Sequence, residues 1–168
     1  MKTKLAVIVS LIFGFTLGII FTAAALNISA EKMMIKELKS PYDFEKTVEV
    51  MKNRINNKEG WHITEVIDQN RAGIDNGGFD IGKFKIIKYC NGKFASDMLK
   101  TDDRKKIGNM MPKSFAVYQK SDGQVFISTM NGAVIGKLFG GETEKIIEES
   151  SLEIEDIMRF INLKFTLF

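Results

Sequence analysis

The sequence predicts an α+β fold: a βαββαββα-type sheet with helices packed on one face, preceded by one transmembrane helix. Three features predict it. Leu5 to Leu26 is a run of 22 residues without a charge; as a helix it reaches about 33 Å, enough to cross a hydrocarbon core of about 30 Å. The rest of the chain alternates short β-branched and aromatic runs with stretches of helical apolar spacing. Asp122-Gly123 then sits between two alternating runs, the pattern of a tight hairpin.

Lys2 and Lys4 precede the apolar run, and Glu31 and Lys32 follow it. Basic residues on the amino-terminal side place that end in the cytoplasm and the remainder across the membrane, as a single-pass protein. The competing reading is secretion after signal cleavage, with Ala23, Ala24 and Ala25 offering small residues at a cut. The run is longer than a signal's usual apolar region of about 7–15 residues, which favours the retained anchor. Residues 1–30 are therefore the anchor or signal segment, and residues 31–168 a single extracytoplasmic α+β domain. Gly14 and Gly18 have the small-xxx-small spacing that lets membrane helices approach closely.

Lys32 to Lys39 reads as the first strand, stopped by Pro41. Asp43 is placed to cap a helix whose Phe44, Val48, Met51 and Ile55 recur on one face and which ends at Gly60. Trp61 to Ile67 is a second strand, and Asp68 to Gly82 a short irregular helix plus loop. Lys83 to Cys90 carries apolar groups on both faces and is the central strand. Lys93 to Lys100 is a short helix and Thr101 to Asn109 a polar loop. Lys113 to Lys120 and Gln124 to Met130 form the hairpin. Glu142 to Glu149 and Ser151 to Leu163 read as two helices, with Ser150 and Glu153 matching a capping box at the start of the second.

Two of the 24 basic residues, Lys2 and Lys4, precede the apolar run, leaving 22 against 21 acids and a domain net charge of +1. That balance excludes an electrostatic case for nucleic acid. Cys90 is the single cysteine, so no internal disulfide forms. Gly77 to Lys83 fits seven positions of a phosphate-binding loop, but Phe84 replaces the hydroxyl residue and a strand, not a helix, follows. Asp68, Asn70 and Gly73 echo a calcium loop that Ala72 and Phe79 spoil.

His62 is the sole histidine, and strand alternation puts it on the face opposite Glu65, so no local metal pair is expected; neither is a zinc centre, and no cofactor is specified. Without a Gly-x-Ser-x-Gly turn, His62 also lacks a nucleophile partner. Cys90 ends the central strand just before a helix, where a thiolate is favoured.

Gly60-Trp61 leading into a strand, Lys85 to Asn91 with Ala95 and Leu99 downstream, Ile107 to Pro112, and a hairpin at Asp122-Gly123 together resemble the domain of unknown function 302 family across Met33 to Leu163. Gly92 stands where that family commonly has proline. The resemblance implies a compact α+β domain, often a homodimer, without an established activity. It marks Cys90, Asn91 and Pro112 as signature positions, with Asn91 capping the next helix and Pro112 fixing the approach to the hairpin.

The resulting expectation is a membrane-tethered, non-enzymatic domain that binds or senses a small ligand, with Cys90, Asn91, His62 and Trp61 as pocket candidates. The alternatives are a thiol-dependent redox enzyme using Cys90, and a structural partner-binding module using the apolar tail Phe165, Leu167 and Phe168.

Overall fold

The computed structural model describes residues 2–161 in backbone and, in side chain, all of these except 2, 5 and 25–30. The tail Phe165, Leu167, Phe168 and the end of the last expected helix at Leu163 lie outside the described residues. The chain divides into two units, Met1–Met34 and Ile35–Phe168.

The first unit is a helix, α1, over Lys2–Met34. Its stretch Ala6–Ala24, 19 residues of mean hydropathy 2.4, is long and apolar enough to cross a membrane; a signal sequence has the same character. The hydroxyls of Ser10 and Thr16 donate to Ala6 O and Ile12 O, so these polar groups are satisfied within the helix. The helix runs further than the sequence reading had it. Glu31, Lys32, Met33 and Met34 are good helix formers, and the first strand begins only at Ile35.

The second unit runs β1 (Ile35–Lys39), α2 (Phe44–Asn56), β2 (Trp61–Asp68), α3 (Gln69–Asp75), β3 (Phe84–Asn91), α4 (Gly92–Leu99), a 3-10 turn (Lys105–Met110), β4 (Lys113–Gln119), β5 (Val125–Met130), α5 (Gly132–Phe139), α6 (Gly141–Ile157) and a 3-10 turn (Met158–Ile161). The five strands form one sheet in the order β1-β5-β4-β3-β2, every neighbour antiparallel. This is the α+β architecture expected; β3 is interior, but the central position expected of it belongs to β4, because β2 is the last strand on its side.

Local chemistry sets the elements. Asp43 Oδ1 accepts from Lys46 N at 2.9 Å and starts α2, whose Phe44, Val48, Met51 and Ile55 are buried. Those side chains meet Ile87, Tyr89, Phe115, Val117 and Ile127 from the sheet, and Ile154, Ile157 and Met158 from the carboxyl-terminal elements, in one apolar cluster. Asp122 Oδ1 accepts from Gln124 N at 2.9 Å and closes the β4–β5 hairpin.

Three elements differ from expectation. The polar loop before β4 contains the 3-10 turn Lys105–Met110, which buries Ile107. Residues Gly132–Phe139, for which no element is expected, form α5. Their glycines and β-branched residues disfavour a helix locally, and packing overrides that preference. A Cβ on Gly132 would stand 1.9 Å from Ser151 Oγ, so only glycine lets α5 lie this close to α6.

The third difference is α6, a single helix where two were expected. Ser150 is no cap: it lies mid-helix and its hydroxyl donates to Ile147 O at 2.9 Å. Glu153 likewise turns to Trp61, accepting from the indole N–H at 2.5 Å. Ser150 thus lines the site described next, and Glu153 holds Trp61, which borders it.

Candidate functional site

The faces of the sheet follow from β3. Ile87, Tyr89 and Asn91 are buried toward the helices, while Ile86, Lys88 and Cys90 alternate to the other side. In β2, Trp61 pairs with Asn91, His62 with Cys90 and Ile63 with Tyr89, after which a bulge at Thr64 makes Glu65 the partner of Lys88. The extra residue reverses the alternation. His62 and Glu65 therefore share a face, contrary to the simple strand count, because both oppose residues on the outer side of β3. Glu65 is occupied there by Lys88 Nζ at 2.8 Å. Among the described residues no group of three or more His, Cys, Asp or Glu side chains is placed to hold a metal ion.

The four residues singled out from sequence thus separate by face. Trp61 and Asn91 are buried on the helix side, whereas His62 is exposed and opposes half-buried Cys90 on the other. Asn91 Oδ1 accepts from Lys93 N at 3.0 Å and Phe94 N at 3.3 Å, capping α4. Gly60, at φ 76°, passes so close to Asn91 that a Cβ would stand 2.8 Å from Asn91 Nδ2. That approach feeds Trp61 into the core, where its ring meets Tyr89 at 5.6 Å and Phe94 at 6.1 Å between centroids.

Trp61, Cys90 and Asn91 border a cavity of about 140 Å³ between the ends of β3 and β4, helices α4, α5 and α6, and the 3-10 turn. His62 is not part of its lining. Much of the wall is apolar, formed by Met98, Ile107, Met111, Ile135, Ile146 and Ile147. Pro112, joined to Met111 by a cis peptide bond, sits at the rim where β4 begins.

The polar end is built by Tyr89, Lys113 and Ser150. Lys113 opposes Tyr89 across the β3–β4 ladder, so alternation turns both side chains to the helix face. Lys113 Nζ donates to Ser150 Oγ at 2.8 Å. Burial lowers its pKa from 10.5 to about 8, with the Cys90 thiol acting weakly in the opposite sense. Tyr89 Oη is buried and has no hydrogen-bond partner in good geometry among the described residues. Burial drives the Tyr89 pKa upward, opposed in part by the neighbouring Thr129 hydroxyl, which itself donates to Ser114 O at 3.1 Å. At the edge of the cavity Lys36 and Glu155 pair at 2.5 Å.

Lys113, Tyr89 and Ser150 were missed as site residues. A signal existed for the first: if Phe115 and Val117 face the core, alternation places Lys113 there too. No comparable signal marked Ser150, whose neighbours imitate a helix start.

The family model described as Domain of unknown function DUF302 matches residues 36–161. Among solved structures the fold is similar to the crystal structure of the uncharacterized conserved protein DUF302 from Bacillus stearothermophilus, with a TM-score of 0.65 at 16% sequence identity, covering 74% of this chain and 95% of that one. No curated protein matches the chain.

Proposed function

From the chain's membership of the DUF302 family, and from the cavity that its fold encloses, we propose that it is a small-ligand binding or sensing domain, non-enzymatic, tethered by α1 and held on the extracytoplasmic side of a membrane. One observation carries the reading: an apolar cavity with a few polar groups gathered at one end, the usual build of a small-molecule site. Trp61, Cys90 and Asn91 supply its β-sheet border, and Lys113, Tyr89 and Ser150 its polar end. His62 lies on the far side of Cys90 and takes no direct part. The tether rests on the apolar stretch Ala6–Ala24, and the orientation on Lys2 and Lys4 ahead of it.

Thermal unfolding of the full chain in lipid nanodiscs, against a panel of small envelope metabolites, tests the binding. A ligand at a hundredfold excess over its Kd stabilises by about 2.7 kcal/mol, a shift of several degrees. That shift is expected to vanish in Ala95→Phe, which adds a ring at the α4 wall of the cavity. A panel without any shift, or shifts equal in the variant, would overturn the proposal.

A further inference from the structure

Lys113 is a half-buried cation at the polar end of the cavity, without a counter-ion among the described residues. No carboxylate lies within ion-pair distance of it among the described residues, and the two acids nearest the cavity are already engaged: Glu155 by Lys36, and Glu153 by the Trp61 indole. An ammonium has three protons, and the structure gives Lys113 one partner, Ser150 Oγ at 2.8 Å. That hydroxyl spends its own proton on Ile147 O, so it can only accept from the lysine. Tyr89, directly across the ladder, adds a second donor, whose hydroxyl has no hydrogen-bond partner in good geometry among the described residues and has the Thr129 hydroxyl as a polar neighbour. Drawing a charge partly out of water and burying a hydroxyl in this state is unfavourable unless something else completes them.

What completes them is set by the donors and the walls. Two donors of which one is positive call for an acceptor carrying negative charge. A single cation suits a monoanion better than phosphate, and the Met and Ile walls suit hydrocarbon. A cavity of about 140 Å³ compares with one of about 150 Å³ that takes benzene, so the guest has roughly six to eight non-hydrogen atoms. We propose that the cavity binds a short-chain monocarboxylate, its carboxylate received by Lys113 Nζ and Tyr89 Oη and its alkyl chain by Met98, Ile107, Ile135 and Ile146. This rests on the reading of the domain as a small-ligand binder and names the class of ligand. The titratable groups that line the cavity with the lysine are Tyr89 and Cys90 from β3, Lys36 from β1 and Glu155 from α6.

Trp61 borders the cavity and is the chain's single tryptophan, so its emission reports occupancy. The test titrates the full chain in nanodiscs with butyrate and with butyramide, which has the same size and shape but no charge. Butyrate is expected to saturate the emission change at a concentration about tenfold lower than butyramide, the scale of one charge-assisted contact. Lys113→Met should bring the two ligands to equal affinity while leaving butyramide unchanged, and Tyr89→Phe should weaken butyrate severalfold. Because Lys113→Met removes an unpaired charge while keeping the stem, it is expected to fold; Tyr89→Phe gives an independent reading. Equal binding of both ligands by the unaltered chain would overturn the carboxylate assignment and leave the binding domain standing. Response to neither ligand would overturn the carboxylate assignment. If the metabolite panel is silent as well, the binding reading falls with it.

Discussion

Replacing Phe115 by alanine is expected to destabilise the domain by about 3–5 kcal/mol, the usual range for a fully buried phenylalanine. Phe115 is wholly inaccessible, pairs across the sheet with Ile87, and stacks on the Tyr89 ring at 4.5 Å between centroids. Removing it takes away apolar contact and also the surface that holds Tyr89 in place at the polar end of the cavity. Urea unfolding of the full chain in nanodiscs, followed by Trp61 emission, measures the loss. Phe126, half-buried on the opposite face and carrying Lys120 Nζ at 3.8 Å over its ring, should cost much less when cut to alanine. Equal losses at the two positions would mean that the core is not on the helix side of the sheet.

The second large effect is electrostatic. Stability should rise by about 2 kcal/mol between pH 8 and pH 10, and Lys113→Met should remove the rise. The gap between the ordinary lysine value of 10.5 and about 8 in the folded chain is worth about 3 kcal/mol. Below pH 8 both states carry the proton, so the folded state bears the full penalty of its partly desolvated charge. Between about 8 and 10.5 the unfolded chain holds the proton and the folded chain does not, so stability increases with pH. Above that both are neutral and this contribution is flat.

Two tyrosines oppose the rise at its upper end. Burial pushes the pKa of Tyr118 up to about 12, with a further contribution from its hydrogen bond to Glu37, and burial raises Tyr89 as well. Above pH 10 the unfolded chain loses these phenolic protons while the folded chain keeps them, and stability falls. The curve should therefore peak near pH 10 in the unaltered chain. In Lys113→Met it should stay level from pH 8 and then fall, from a starting point at pH 7 higher than that of the unaltered chain. A Lys113→Met variant that is less stable at pH 7, with the same slope above pH 8, would show that the ammonium is not desolvated.

The sheet was legible in the sequence because β-strand alternation and the Asp122-Gly123 turn act locally. So was α2, where one capping aspartate and one apolar stripe agree. What escaped was set by contacts between distant segments. The helix α5 exists because Gly132 nests against Ser151, which no local propensity encodes. The bulge at Thr64 inverts the face of every later residue in β2, and nothing in Trp61 to Asp68 announces it. Ser150 and Glu153 have a helix-start spacing, yet their partners are Lys113 and Trp61, 37 and 92 residues away. Trp61, Cys90 and Asn91 could be chosen from sequence because they lie at paired strand ends next to a capped helix. The lysine that gives the cavity its charge looked like an ordinary surface residue.

Native mass spectrometry of the full chain released from its own host's membranes asks most directly whether this cavity holds a small molecule. The unaltered chain is expected to carry one small anionic adduct, lost on collisional activation and absent from the Ala95→Phe chain prepared in the same way. Bare chain in both preparations, or the same adduct retained when the cavity is filled, would contradict a ligand in the space that Trp61, Asn91 and Lys113 border.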